Sequence, residues 1–327
     1  MSDGNPMSGQ PILVYGADGA QGSPVVRRLL AAGRPVRVLV RRPERAAGWR
    51  ALGAEAVVAD LDDPPSLRRA TDGAAAVSLH LPQGYDPATT VRQGIAAIDA
   101  AQSAGVAALL LNTSSPVPTE PTGVPAFEAK RAIVAHLRGS GVPHAVLRPT
   151  FYMGNLAGPW TAPSIVRDGV IAYPVPAHVP GAWVDAEDVA ALTVAILARP
   201  DLAGSGAAYD VGGPELLDGP ALAARFTAAL GRPVRYQAIP IDAFAAGLDA
   251  ALGAPAGTEI AKLYRWVEAN PRAQVGAQEW PESLARLGVT RTRLDGWIRA
   301  QDWDRAAAPS AAEPVGAGTG RVARMAG

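Results

Sequence analysis

The chain has 327 residues, and its 30 basic and 30 acidic side chains leave a formal net charge of zero. This balance argues against a nucleic acid or a membrane surface as partner and favours a small neutral or anionic substrate. Cysteine is absent, which excludes disulfides, thiolate metal sites and a cysteine nucleophile, and no metal site is expected.

Residues 1–10 show neither the basic nor the apolar region of a secretory signal, and no apolar run is long enough to cross a bilayer. We therefore expect a flexible N-terminus and a cytoplasmic protein, either a monomer or a homodimer.

A strand, a glycine turn and a helix are predicted in the stretch PILVYGADGAQGSPVVRRLL, residues 11–30. The apolar run at residues 12–15 indicates a buried strand. Gly16, Gly19 and Gly22 follow with GxxGxxG spacing and lead into an apolar pattern of helical period. Such a turn binds a dinucleotide pyrophosphate through backbone N–H groups at a helix N-terminus. The alternative is a tight strand–helix turn that binds nothing.

Five further strands are predicted, and helices separate most of them. They lie at residues 35–40, 54–59, 74–81, 106–112 and 143–148, with a helix at 124–138 before the last. Strands that alternate with helices indicate an α/β fold with a Rossmann-like, doubly wound parallel sheet, here over residues 11–150. Ligands of such sheets bind at the carboxyl ends of the strands.

Beyond residue 150, prolines and tryptophans become frequent, which favours loops within a smaller, mostly helical substrate lobe over residues 151–304. The exceptions at residues 182–213 are a helix at 185–199, capped by Asp185, and a strand at 207–213, which return to the first domain. Helices are predicted at 218–231, 241–253 and 259–270, and a strand at 233–240. Residues 305–327 are rich in Ala, Gly, Pro and Ser, which predicts a disordered tail.

The second strand ends in Arg41 and Arg42 rather than in an acidic residue that would bind the ribose hydroxyls of NAD. A guanidinium at this place suits the 2′-phosphate of NADP. The alternative is that both arginines are only solvated. Asp18 in the glycine turn is an anion that either repels a 2′-phosphate or binds a hydroxyl, so NAD remains open.

The third and fourth strands also end in candidate ligands. Asp60 is placed to accept from the adenine amino group, although one of Asp60, Asp62 and Asp63 would equally serve as a helix cap. Residues 79–82 should border the cofactor. His80 among them is interpreted as structural rather than catalytic, since a single histidine at a strand end is more often structural.

Lys130 lies in the middle of the apolar face of the helix at 124–138, whereas Glu128 faces away. Burial of an ammonium without a partner is costly. The lysine therefore either extends to water or has polar partners in a cleft, where it would bind ribose hydroxyls or act with a lowered pKa.

Together, these motifs resemble the NmrA-like family of atypical short-chain dehydrogenases/reductases, which includes isoflavone-reductase-like and NAD(P)H:quinone-reductase-like proteins. The matching segments are GADGAQG (16–22), VLVRRP (38–43), ADLDDPPSL (59–67), FEAKRAIVAHLRGSGVPHAVLRPTFYMGNL (127–156) and AWVDAEDVA (182–190). The resemblance implies an NADP(H)-binding domain with the nicotinamide near residues 149–152. Lys130 matches the lysine of ordinary short-chain dehydrogenases and Ser114 or Ser115 the serine, but Ala126 occupies the position of the catalytic tyrosine.

Two sets of site residues follow. Those expected to act in catalysis are Lys130, Tyr152 and Ser114. Those expected to bind the cofactor are Gly16, Asp18, Gly19, Ala20, Gln21, Gly22, Arg41, Arg42, Asp60, Leu61, His80, Leu81, Pro82, Asn112, Thr113, Lys130, Pro149, Thr150 and Phe151.

Without the tyrosine, the acceptors of hydride should be compounds that stabilise the added electrons themselves, such as quinones, enones or iminium-like cations. We therefore expect an NADPH-dependent reductase of conjugated or aromatic compounds, with Tyr152, Trp160 and Trp183 as walls of an apolar pocket. The alternatives are a non-enzymatic sensor of NAD(P) with a protein partner and, third, a nucleotide-sugar epimerase or dehydratase.

Overall fold

The computed structural model describes residues 9–308 except 83, 85 and 273–275. The strands are β1 (Ile12–Val14), β2 (Val36–Val40), β3 (Glu55–Val58), β4 (Ala76–His80), β5 (Ala108–Asn112), β6 (His144–Pro149), β7 (Val170–Tyr173), β8 (Gly181–Ala182), β9 (Ala208–Val211), β10 (Leu216–Leu217) and β11 (Arg235–Ala238). The helices are α1 (Gly22–Ala31), α2 (Pro43–Ala51), α3 (Pro64–Thr71), α4 (Pro87–Ala104), α5 (Pro125–Gly139), α6 (Ala162–Asp168), α7 (Ala186–Leu197), α8 (Pro200–Ala203), α9 (Gly219–Leu230), α10 (Ile241–Leu252), α11 (Ala256–Ala269), α12 (Glu282–Ala285), α13 (Leu294–Ala300) and α14 (Trp303–Ala307).

A parallel sheet of seven strands forms the centre of the fold, in the order β3-β2-β1-β4-β5-β6-β9. The strand order reverses between β1 and β4, which is where ligands of doubly wound sheets bind. Ile12 of β1 lies opposite Val36 of β2 and Ala76 of β4, so these three strands end at one edge. The predicted Rossmann-like α/β fold is confirmed.

Helices cover both faces of this sheet because its strands are apolar on both sides. Ile12 and Val14 face one core, which α1 and α7 complete, whereas Leu13 and Tyr15 face the other, which α3, α4 and α5 complete. The alternation follows from the two-residue period of a strand. The Asp185 side chain caps α7 as predicted, since it accepts a hydrogen bond from the Glu187 N–H at 3.3 Å.

A third core joins residues from Phe151 to Ile298 and forms the smaller, mostly helical part of the molecule. Strands β7 and β11 pair in parallel there, and helices α10 and α11 follow as a hairpin. The expectation of loops before residue 185 was wrong in part, because this stretch contains α6, β7 and β8. These elements are only two to seven residues long and lie among prolines. They are too short to show the hydrophobic periodicity of a helix or a strand in the sequence.

The predicted disordered tail begins at Arg305, but the structure extends α14 to Ala307, and the Asp302 side chain caps this helix by accepting from the Arg305 N–H. The rest of the predicted tail, from residue 309, and residues 1–8 of the predicted flexible N-terminus lie outside the described residues. None of the described helices combines the length and apolar character needed to cross a membrane.

Candidate functional site

The glycine turn brings the backbone of β1 very close to the start of α1. A Cβ atom at Gly22 would lie 2.2 Å from the carbonyl oxygen of Gly16, and Gly16 itself has a φ of +67°. The Gly19 N–H donates to the Gly16 carbonyl at 2.9 Å, which closes the turn. No side chain caps α1 at Gln21, although the Ser23 N–H already donates to the Gly19 carbonyl at 3.0 Å. These features fit a dinucleotide pyrophosphate, as does Ala20, which is small and exposed.

The turn also contacts the helix that follows the second strand. Asp18 accepts a hydrogen bond from the indole N–H of Trp49 on α2, at 2.9 Å. Its carboxylate is therefore directed toward the β2–α2 side, where Arg41 and Arg42 are exposed at the end of β2. Arg42 lies 3.7 Å from Glu44, measured from Nε to Oε1. Both an anion and two cations thus border the expected position of the adenosine ribose.

The end of β3 has a simpler arrangement. Asp60 is exposed and accepts from the backbone N–H of Asp62 at 2.9 Å. Asp63 stands at the N-cap of α3 but its side chain makes no capping hydrogen bond, so none of the three acidic residues caps this helix through its side chain. Leu61 is half-buried beside Asp60.

A polar network joins the ends of four strands. The Oε1 atom of Gln21 accepts from the Tyr152 hydroxyl at 2.8 Å, from the Asn112 amide at 3.1 Å and from the Ser114 hydroxyl at 3.2 Å. The Ser114 Oγ also lies 3.2 Å from Nδ1 of His80. This network joins four candidates from the ends of β1, β4 and β5 to Tyr152, which follows β6.

Ser114 holds a strained backbone within this network. Its φ is +60°, a left-handed value that costs energy for a residue with a side chain. The Asn112 carbonyl oxygen Oδ1 accepts from the Ser114 N–H at 2.8 Å and supports the turn. Backbone strain that its neighbours hold in place is typical of functional sites.

Burial fixes the protonation state of two members of the network. Burial and, second, the charge of Lys130 lower the pKa of His80 to about 4, so its imidazole is neutral at neutral pH. Burial raises the pKa of Tyr152, so its phenol remains protonated. The structural interpretation of His80 suits this neutral, hydrogen-bonded ring.

Lys130 projects from α5 toward the same edge. Its ammonium donates to the Ser115 hydroxyl at 2.6 Å, and burial lowers its pKa to about 8. The serine in contact with this lysine is thus Ser115, whereas Ser114 contacts His80 and Gln21. Glu128 bonds instead to the Thr122 N–H at 2.7 Å. Thr113 is buried and its hydroxyl donates to the Ser115 carbonyl at 2.7 Å.

A cavity of about 470 Å³ separates this edge from helices α10 and α11. Its walls on the sheet side include Gln21, Pro82, Ser114, Ser115, Phe127, Lys130, Thr150, Phe151 and Tyr152. Its walls on the helical side include Phe244, Leu248, Leu252, Ile260, Leu263, Tyr264 and Val267. Lys130 is the only charged side chain among the described residues that line it. The helical side of the cavity is therefore apolar apart from the Tyr264 hydroxyl, whereas the sheet side has polar groups and a single cation.

Of the three predicted wall residues, two border the cavity and one does not. Tyr152 and Trp160 line it. Trp183 packs behind Phe151, with ring centroids 5.1 Å apart, and is 5% exposed. The interpretation of Trp183 as a wall was wrong, because Phe151 stands between its ring and the open space.

A smaller cavity of about 60 Å³ lies on the other side of Lys130, and Leu81, Pro82, Asn112 and Ala126 line it. Position 126 thus borders this smaller cavity beside Lys130 and offers only a methyl group there. Pro149, by contrast, is buried at the end of β6.

Several residues of the site had no signal in the sequence. Trp49, the partner of Asp18, is one of them, and Asn155 and Tyr264, which line the cavity, are the others. Only the apolar, aromatic composition of α10 and α11 indicates that these helices form a pocket wall.

A parallel sheet of this order, with a glycine turn after its first strand, defines a Rossmann-type α/β protein. Within this class the chain belongs to the NmrA-like family, whose sequence model matches residues 8–287.

Two curated proteins are similar in sequence. The chain is 34% identical to the NAD(P)H azoreductase of Xenophilus azovorans over 232 residues, which are 71% of this chain and 78% of that protein. It is 38% identical, with the same coverage, to the (4-alkanoyl-5-oxo-2,5-dihydrofuran-3-yl)methyl phosphate reductase of Streptomyces griseus. Among solved structures, the NADPH-dependent quinone oxidoreductase QOR2 of Escherichia coli superposes with a TM-score of 0.69 at 27% identity, covering 88% of this chain and 98% of that one.

Proposed function

We propose that this protein is an NADPH-dependent reductase that transfers hydride to small conjugated or aromatic compounds. One observation carries the proposal: a cavity of about 470 Å³ begins at the glycine-turn edge of the sheet, and Gln21, Lys130 and Tyr152 line it at this end. The names of the similar proteins, two reductases and a quinone oxidoreductase, support the same class of reaction.

The residues of the site define which acceptors are suitable. Bound NADPH supplies a hydride, that is, a proton with two electrons. Ala126 offers no proton donor at the usual tyrosine position, so the acceptor must delocalise the added electrons. Lys130, a cation at the cavity wall, stabilises negative charge that develops on the reduced acceptor or orients the ribose hydroxyls. The apolar walls exclude water from the transfer.

Turnover of a matched panel tests the proposal. We expect oxidation of NADPH, followed at its near-ultraviolet absorbance, with quinones, conjugated enones and triarylmethyl cation dyes, and much slower oxidation with simple aliphatic ketones. Failure to reduce any of the delocalised acceptors contradicts the proposal. Tight NADPH binding with no turnover would instead favour the sensor of NAD(P).

Coenzyme preference should depend on two opposite charges, that of Asp18 in the glycine turn and that of Arg41 at the end of β2. Asp18→Asn is expected to raise the preference for NADPH over NADH about tenfold, because it removes an anion beside the 2′-phosphate, and Arg41→Ala is expected to lower it by a similar factor. The ratio of kcat/KM values for the two coenzymes measures this. Arg138→Ala is the control, since this exposed arginine lies at the C-terminal end of α5, at the opposite edge of the sheet. An unchanged ratio in both test variants would place the 2′-phosphate elsewhere.

A further inference from the structure

Two tyrosine hydroxyls meet at the cavity wall opposite the coenzyme edge. The hydroxyls of Tyr173 on β7 and Tyr264 on α11 are 2.6 Å apart. Tyr173 is 0% exposed, whereas Tyr264 is half-buried and lines the cavity. The two rings stand edge to face at 87°, and Phe244 packs on both, so the pair is held firmly.

The direction of the hydrogen bonds follows from the environment of Tyr173. Burial is the largest influence and raises the pKa of Tyr173; Tyr264 raises it further, and a hydrogen bond from the Asn155 side chain lowers it. Because Tyr173 has no exposed surface, its proton has no acceptor in solvent, and donation to the Tyr264 hydroxyl satisfies it. The Tyr264 oxygen then accepts the proton of Tyr173. The Tyr264 hydroxyl cannot donate back to Tyr173, so its proton is available to another acceptor.

We propose that the Tyr264 hydroxyl is a hydrogen-bond donor to the oxygen of a reduced acceptor, in place of the tyrosine that is missing at position 126. This inference rests on the proposed reductase function and names a further residue of the same site. Tyr173 is a positioning residue, since it acts on the acceptor only through Tyr264. The donor comes from the smaller lobe, so the two lobes contribute opposite ends of the site.

The chemistry separates two classes of acceptor. Hydride addition to a quinone gives a hydroquinone anion, which then takes a proton from water, so a donor that faces the oxygen stabilises the charge as it develops. Hydride addition to the central carbon of a triarylmethyl cation gives a neutral compound directly. No anion forms in that reaction, and no proton is needed.

The test compares both acceptors in Tyr264→Phe. We expect kcat/KM for a quinone to fall about 100-fold, as on removal of one donor to a developing oxyanion, while kcat/KM for a triarylmethyl cation changes less than about threefold. Tyr173→Phe should also lower kcat/KM for the quinone more than kcat/KM for the cation, but by a smaller factor than Tyr264→Phe. The control is Tyr236→Phe, because this hydroxyl donates to the Val175 carbonyl at 2.7 Å and its ring does not line the cavity.

A binding measurement provides a second readout that needs no turnover. 4-Nitrophenol carries a phenolate oxygen that resembles the reduced acceptor, and its ionised form absorbs visible light. The wild-type chain with oxidised coenzyme should bind the phenolate about tenfold more tightly than Tyr264→Phe does, with equal binding by Tyr236→Phe. The inference would be overturned if Tyr264→Phe lowered kcat/KM equally for the quinone and for the triarylmethyl cation. It would also be overturned if wild type and Tyr264→Phe bound the phenolate equally tightly. Failure of wild type with both acceptors would instead overturn the proposed function itself.

Discussion

Lys130→Met is expected to lower kcat/KM with a quinone by more than about 100-fold, because it removes the only charge among the described residues that line the cavity. The wild-type pH profile should report the same group. Burial lowers the pKa of Lys130 to about 8, so the ammonium is present below this pH and is lost above it. We expect kcat/KM to be constant near pH 7 and to fall above about pH 8, and the variant to show no such break.

The same substitution should stabilise the fold. The pKa of the Lys130 ammonium falls from 10.5 in the unfolded chain to about 8 in the native state. The unfolded chain therefore binds this proton more tightly, and the charged lysine destabilises the native state at pH values at which the unfolded chain is protonated. This cost is fully present below about pH 8 and disappears as the pH rises to about 10.5. At pH 7, Lys130→Met should therefore raise the free energy of unfolding by about 2 kcal/mol, after loss of the bond to Ser115. A higher Tm with lost activity would show that the lysine is kept for function.

Lys262→Met is the matched control, since Lys262 is the only other lysine of the chain and pairs with Glu259 on α11. It should leave the turnover and the pH profile unchanged. If Lys130→Met retains turnover, or if its pH profile keeps the break near pH 8, the assignment of the cation is wrong.

The central sheet was predictable because its strands are buried on both faces and are therefore continuous apolar runs. Residues 12–15 and 108–111 show this plainly, and the strand-end rule then placed Gly16, His80 and Asn112 at one edge. The short pair of β8 and β10, two residues each, has no such signal. Its formation depends on tertiary contacts rather than on local pattern.

Side-chain pairing in the site was not predictable in the same way. The bond of Asp18 to Trp49 spans 31 positions, that of Tyr173 to Tyr264 spans 91, and that of Gln21 to Tyr152 spans 131. Sequence position indicated that Gln21 and Tyr152 each face the ligand, but not that they bond to each other. Likewise, the apolar face of α5 indicated that Lys130 needs a partner, while only the fold selects Ser115 rather than Ser114.

Gly22→Ala is expected to weaken NADPH binding by more than about 100-fold, because the added methyl group would lie 2.2 Å from the Gly16 oxygen and 2.6 Å from its carbon. Both contacts are with backbone atoms, which no side-chain rotation can relieve. The start of α1 must therefore move away from β1, and the N–H groups at its N-terminus no longer point toward the pyrophosphate. Titration of the variant with NADPH, followed by fluorescence or calorimetry, measures the effect.

Gly48→Ala separates this steric effect from the general effect of a new methyl group. Gly48 lies within α2, has open space around its Cβ position and no positive φ, so alanine there should leave NADPH binding unchanged and stabilise the helix by up to about 1 kcal/mol. Gly19→Ala should lie between the two, since its Cβ would approach the Gly16 oxygen only to 3.3 Å. The order of dissociation constants, Gly22→Ala far above Gly19→Ala and Gly48→Ala equal to wild type, is what a coenzyme across this turn requires. If Gly22→Ala remains folded by thermal melting and binds NADPH as wild type does, the coenzyme does not lie there.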